Sequence, residues 1–189
     1  MILTLVEPPT LPTMAPPEAS VQAVQTPERW FKLLEEKKFE SEKEVEFYFV
    51  MPILEQLGYT EDDIAMNHAV QAHQWARKVT RRIDIALFDG PSRSTDNGLM
   101  LVETKKRALS EDAAGQARAY ALWLPIVYYW VTDGEHIHVY LFQNAIQLDV
   151  RLMSFHRAAF RDHWTEFYGT LNQAVVVERQ EHMRSASTP

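Results

Sequence analysis

Glu103 and Lys105 stand two residues apart at the end of an apolar run, Leu99-Met100-Leu101-Val102, in the stretch LMLVETKKRA. Side chains alternate along a strand, so Leu101, Glu103 and Lys105 share one side and Met100, Val102 and Thr104 the other. An earlier run, RIDIALFDG, alternates as well: Ile83, Ile85 and Leu87 on one face, Asp84, Ala86 and Phe88 on the other. If the two runs are neighbouring strands, two carboxylates and an ammonium converge. Carboxylates held close together repel unless a cation lies between them. Mg²⁺ suits such a place because it prefers oxygen ligands and keeps several waters, and Mn²⁺ is a natural substitute. A metal-bound water loses its proton more easily, and a lysine beside it can steady charge on an attacked phosphate.

The spacing alone does not decide the matter. Acid-x-Lys recurs at Glu35/Lys37 and Glu36/Lys38, on a charged helical face. A plainer reading also accounts for the pattern: Asp84 paired on the surface with Arg81 or Arg82, and Glu103 with Lys105 on an exposed strand edge, where charges block aggregation. What sets the Glu103 copy apart is that it ends an apolar strand and follows another strand carrying an isolated aspartate.

The elements that must position these residues are readable in outline. Residues 1–26 hold Pro8, Pro9, Pro12, Pro16 and Pro17 and are expected to form a flexible arm. Thr26, Pro27 and Glu28 then signal a helix start, with a helix to about Lys38. SEKEVEFYFVMPILEQLGY has Ser41 and Glu44 as a capping box, Val45, Phe49, Ile53 and Leu57 at helical spacing, Pro52 as a place to bend and Gly58 as the stop. The Asp84 and Glu103 runs read as an antiparallel hairpin. A helix of small residues follows, capped by Ser110 and stopped before Pro125. IVYYWVT and HIHVYLF form a second hairpin around Asp133-Gly134. A last helix is expected from about His156 into the 170s, and a frayed tail over 181–189. The order helix, two strands, helix, two strands, helix implies an α/β (α+β) fold, a mixed central sheet flanked by helices, as a single domain over 27–180.

Bulk properties narrow the function. No run of about 18 apolar residues suggests a membrane span, and MILTLVEPP lacks the basic start of a signal peptide. The absence of cysteine excludes disulfides and thiolate metal sites and fits a cytoplasmic chain. The net charge of −7 argues mildly against a broad nucleic-acid surface, but the charge is uneven. From Arg77 to Arg107 there are eight basic residues and four acids, a local +4 that leaves −11 for the rest. Arg77, Lys78, Arg81 and Arg82 precede Asp84 and could contact phosphates, as could Lys106; a solvated charged turn is the competing reading. His136 and His138 have strand spacing but no evident third ligand, and His68 and His73 lie in a segment with no clear pattern. Trp123, Tyr128, Tyr129 and Trp130 could stack on bases, but their setting favours core packing.

Five segments in order, SEKEVEFYFVMPILEQLGY, RRIDIALFDG, LMLVETKK, AAGQARAYALWL and YYWVTDGEHIHVY, carry a wider resemblance. Together, over residues 41 to about 142, they resemble the N-terminal nuclease domain of the restriction subunit of type I restriction enzymes, in the PD-(D/E)xK superfamily. The resemblance implies a restriction-endonuclease-like core and Mg²⁺-dependent hydrolysis of DNA phosphodiesters. It makes Asp84 and Glu103 metal-binding acids, with Ile83 where the motif has proline, and Lys105 the catalytic lysine. Glu42, on the first core helix, would complete the metal site, with Glu46 as the alternative. Gln116 and Tyr120 match the glutamine and tyrosine of the next helix, Gln116 as an orienting residue or phosphate contact and Tyr120 as packing. No glycine precedes a lysine, so there is no phosphate loop of the ATPase type. The expectation is therefore a domain acting alone or with protein partners that supply motor or specificity functions. The alternative is an inactive nuclease-like module that binds nucleic acid or a protein.

Overall fold

The computed structural model describes residues 28–74, 77–106, 109 and 111–186; side chains at 28–29, 33, 72–74, 77, 111 and 186 also fall outside the description. The expected N-terminal arm, the Thr26, Pro27 and Ser110 helix signals, the side chains of His73 and Arg77, and the last three residues of the expected tail lie beyond these limits.

Six strands form one sheet in the order β1 to β6: Ile64–Gln74, Arg77–Phe88, Gly98–Thr104, Tyr128–Thr132, His136–Leu141 and Val150–His156. Neighbours are antiparallel except β3 and β4, which are parallel, with Met100 beside Tyr128 and Thr104 beside Thr132. A parallel pair needs a crossover. Helix α4 (Glu111–Ala121) supplies it, and Ala113, Ala117 and Tyr120 pack with Leu101, Tyr129 and Val131 on one face of the sheet. The other face is covered by α1 (Glu28–Glu36), α2 (Glu42–Val45), α3 (Met51–Gln56), α5 (Phe160–Leu171) and α6 (Gln173–Ala186). Phe49, Trp130, Phe160 and Phe167 lie at its centre, and the Trp130 and Phe167 rings meet edge-on at 5.3 Å. The mixed sheet flanked by helices, the two hairpins and burial of Tyr128, Tyr129 and Trp130 follow the expectation; Trp123 instead is exposed. Among the described residues no helix is long and apolar enough to cross a membrane.

The helix from Ser41 is not uniform. The Ser41 side chain accepts from the Glu44 N–H, and Glu44 Oε2 accepts from the Glu40 N–H, close to the expected box. Residues Glu46–Val50 then widen into a π-helix, with the Met51 N–H reaching Glu46 O. This lies just ahead of Pro52, whose ring would crowd the carbonyl four residues back in an ordinary helix. Gly58 (φ 93°) ends the helix as expected.

Four expectations need correction. β1 occupies the segment around His68 that shows no clear pattern: Ala, Asn, Gln and His favour strands weakly, and pairing with β2 holds the strand in place. β6 ends at His156, where a helix was expected to begin; the last helix starts at Phe160. That helix breaks at Asn172, which turns extended, donates from Nδ2 to Tyr168 O and accepts from the Val175 N–H. Finally, α6 continues to Ala186, so most of the expected frayed tail is helix.

The second hairpin depends on backbone that only glycine supplies cheaply. Asp133 Oδ1 accepts from the Glu135 and His136 N–H groups, and Gly134 has φ 81°. A Cβ there would lie 2.6 Å from the Phe39 ring and 3.2 Å from Val45. Gly134→Ala should therefore destabilise the fold by about 2 kcal/mol or more, seen as a lower urea midpoint at unchanged m-value. An unchanged midpoint would show that the hairpin relaxes without loss.

Candidate active site

β2 and β3 pair from Phe88/Gly98 only as far as Ile85/Val102. Beyond that point Asp84 has no ladder partner on β3. On the β1 side the pairing runs Met66–Ile85 and His68–Ile83, leaving Asn67 and Asp84 out of the ladder. Asn67 has φ 52°, the left-handed region that asparagine tolerates better than most residues. β2 thus leaves β3 at Asp84 and skips one rung of its ladder with β1. The strand alternation breaks here too: Ile83, expected with Ile85 and Leu87, packs instead with Ala86 and Phe88.

The Asp84 carboxylate fills the gap. Its Oδ2 accepts from the Thr104 N–H at 2.8 Å and from Thr104 Oγ1 at 3.0 Å. No hydrogen bond reaches Oδ1 from the described residues. Asp84 is not paired with Arg81 or Arg82, and β3 is a buried central strand rather than an exposed edge, so the plainer reading of the motif fails. Thr104 itself carried no weight in the sequence reading. It is the middle residue of the acid-x-Lys motif, and it joins both strands to the helix because its hydroxyl lies 3.5 Å from Glu46 Oε1.

Glu103 is buried to 1% exposure. Lys105 Nζ donates to its Oε1 at 2.6 Å, while Oε2 is buried with no partner. Burial pushes the Glu103 carboxyl up to about 7, with the nearby Asp84 charge adding to the rise, the Lys105 contact opposing it and Glu42 adding a little. Burial disfavours the Lys105 charge, yet the bond to Glu103 and the charges of Asp84 and Glu42 outweigh this and raise its pKa. The geometry therefore brings Asp84, Glu103 and Lys105 together, with Glu42 within electrostatic reach.

The two candidate helix acids differ. Glu42 is exposed in the first turn of α2. Glu46 is buried at the start of the π stretch, and Lys43 Nζ donates to both its oxygens, at 2.8 and 2.7 Å. Gln116 is not drawn into the cluster: it is exposed and its amide donates to the Tyr120 hydroxyl at 2.9 Å. Tyr120 is buried packing. Lys78, Arg81, Arg82 and Lys106 are exposed. Among the described residues no three acids or histidines stand close enough to form a closed metal cage. Mg²⁺ does not require one, since one or two carboxylates and several waters satisfy it. An unpartnered buried Glu103 oxygen, and an Asp84 oxygen that accepts no hydrogen bond from the described residues, are the oxygen donors such an ion takes.

A model of the family described as type I restriction enzyme R protein N terminus (HSDR_N) matches residues 41–162. The chain belongs to this family. A fragment described as an HsdR subunit of a type I restriction enzyme from Vibrio vulnificus YJ016 is similar at 19% identity, over 60% of this chain and 23% of that one, with a TM-score of 0.44. The chain thus spans under a quarter of the length of that protein. No curated protein matches it.

The raised Glu103 pKa has a consequence for stability. Its ordinary value is 4.5 and the folded value about 7. Between these the folded state keeps a proton that the unfolded chain has lost, so stability is full below 4.5 and falls as pH rises through 7. In chelator-treated buffer, Glu103→Gln should flatten this decline and be more stable than wild type at alkaline pH. Parallel pH–stability curves for the two proteins would refute the assignment.

Proposed function

We propose that this chain is a Mg²⁺-dependent DNA endonuclease module of the PD-(D/E)xK kind, hydrolysing phosphodiester bonds. The observation that carries the reading is the unpartnered, buried Glu103 Oε2, set beside Asp84 where β2 leaves β3 and with Lys105 already on the other Glu103 oxygen. Structural packing alone does not reward a buried carboxylate with an empty oxygen.

Asp84 and Glu103 would hold the ion. Glu42 completes the set better than Glu46, whose oxygens Lys43 already occupies. When bound, Mg²⁺ supplies a Lewis acid and a water of lowered pKa. The chain does the rest. Thr104 fixes the Asp84 carboxylate through two hydrogen bonds. Lys105 remains protonated and, at the rim of the cluster, offers its remaining N–H donors to the attacking water and to phosphoryl oxygens as charge develops. The water oxygen adds to phosphorus, the bond to the leaving oxygen breaks, and that oxygen takes the proton. Gln116 stays outside this scheme unless substrate draws it from Tyr120. Protein partners carrying motor or specificity functions, and a cytoplasmic setting, belong to the same reading.

That no three acids form a closed metal cage among the described residues favours a second reading, a module that binds without cutting. Incubation of plasmid DNA at low salt with Mg²⁺ or Mn²⁺ separates the two. Wild type should cut, and Asp84→Ala and Lys105→Ala should each lose roughly 10²-fold or more in rate. Mg²⁺ should raise the melting temperature of wild type but not of Asp84→Ala. No cutting and no metal-dependent shift would leave the binding module; cutting that survives both substitutions would remove this site from the chemistry.

A further inference from the structure

β1 and β2 are the longest strands, yet only their base belongs to the sheet body. Residues 77–83 of β2 pair with β1 alone among the described residues. Seven residues make about 23 Å of two-stranded ribbon. Its root is fastened: Ile83 and Val70 are buried and the His68 ring lies 5.0 Å from Phe88. Farther out one face is open, with Lys78, Thr80 and Arg82 on β2 and Ala69 and Gln71 opposite on β1, all exposed. Gln71 Nε2 donates to Thr80 Oγ1 at 3.2 Å.

The charge on this ribbon is one-sided. Residues 64–83 contain four Lys or Arg and two His but no acid, in a chain of net charge −7. An ordinary solvated face mixes signs, as on α1, where Lys32 pairs with Glu36 at 3.8 Å. Neither Lys78, Arg81 nor Arg82 forms an ion pair among the described residues; Arg82 spends one donor on Asn67 O at 3.3 Å. Arg93, by contrast, is absorbed into holding the turn before β1 through Glu61 O and Ile64 O. Gathering uncompensated cations on a projecting ribbon costs self-repulsion, which a polyanion relieves.

We propose that the open face of the β1–β2 ribbon docks into the major groove of duplex DNA. Lys78 and Arg82 grip phosphates, while the Gln71–Thr80 pair between them faces base edges and Ala69 allows close approach. A two-stranded ribbon fits a major groove of about 12 Å, whereas the deep, narrow groove of A-form RNA does not admit one. Because the ribbon is rooted at Asp84, the grip would also lay the adjoining backbone toward Asp84 and Glu103. That last placement rests on the nuclease reading; the groove contact does not.

Fluorescence anisotropy of the full chain with a labelled DNA duplex, without metal and over a salt series, tests it. Wild type should prefer duplex to single strand of the same sequence. Lys78→Ala/Arg82→Ala should bind about 10-fold more weakly or worse and lower the log–log salt slope by about 2, roughly one per phosphate contact. Its thermal melting should change by little, because both side chains are exposed and the one hydrogen bond lost, from Arg82 to Asn67 O, lies at the surface. Lys78→Arg/Arg82→Lys should restore the slope, and Lys32→Ala should leave it alone. Failure of wild type to bind duplex, an undiminished slope in the alanine variant, or equal binding of single strand would overturn the proposal. Cutting by wild type alongside any of these would leave the nuclease reading standing. Ribbon-dependent binding without cutting would keep the ribbon and remove the nuclease.

Discussion

The bond from the Thr104 N–H to Asp84 Oδ2 is the constraint on which the rest of the site depends. In an unbroken sheet that donor would meet a backbone carbonyl of β2. A buried N–H left without an acceptor is costly, so β2 can leave β3 only if something else accepts. Asp84 does so with a side chain, and the Thr104 hydroxyl adds a second bond to the same oxygen. The strands part without orphaning the backbone. Parting creates the opening in which Glu103 faces Asp84, and it sends the outer half of β2 away from the sheet as a ribbon with β1. The left-handed Asn67 opposite Asp84 lets β1 follow the same break.

Two buried carboxylates in this region show how function and stability separate. Glu46 and Glu103 are each 1% exposed and each meets a lysine. Lys43 spreads over both oxygens of Glu46, so that group is closed. Lys105 reaches only one oxygen of Glu103, and the other points into the protein unmatched. An unmatched oxygen near the Asp84 charge opposes folding, and a central sheet buried on both faces compensates. Sites that break a local rule in this way are where a fold keeps its chemistry.

Much of this arrangement was legible in the sequence because it rests on period-two alternation and strong turn signals. LMLVETK is a run whose alternation places Glu103 and Lys105 together, and Asp133-Gly134 fixes a hairpin by backbone geometry alone. The Ser41 cap and Gly58 stop bound the helix correctly. What the local pattern hides depends on tertiary context. β1 is built from residues with weak strand preference and exists through its partner. In β6, Val150 and Leu152 are exposed while Met153 and Phe155 are buried, so a bulge opposite Val139/Tyr140 hides the pattern. Ile83 obeys alternation in sequence and violates it in space, because the strand is released one residue later. In sequence Thr104 reads only as the spacer between Glu103 and Lys105. Its role arises only when the strand beside it ends its ladder, which no local pattern announces. Resemblance points to Gln116, but its amide donates to the Tyr120 hydroxyl.

The acidity of the chain and the basicity of the ribbon are compatible for an electrostatic reason. Screening limits the influence of exposed charges to about 8 Å at physiological ionic strength. The outer residues of the ribbon, 77–80, extend about 13 Å beyond the buried Val70 and so present their own sign to an approaching partner, not the −7 of the whole chain. Near the root the opposite sign prevails, with Glu42, Asp84 and Glu103 gathered around one lysine. A polyanion drawn to the outer ribbon meets repulsion as it nears these acids, unless a cation neutralises them. On the proposed reading the ribbon's charge would favour binding unaided, while close approach to the acids would need a metal. That division follows from where β2 breaks away, since the break at Asp84 is at once the end of the basic ribbon and the start of the acidic cluster.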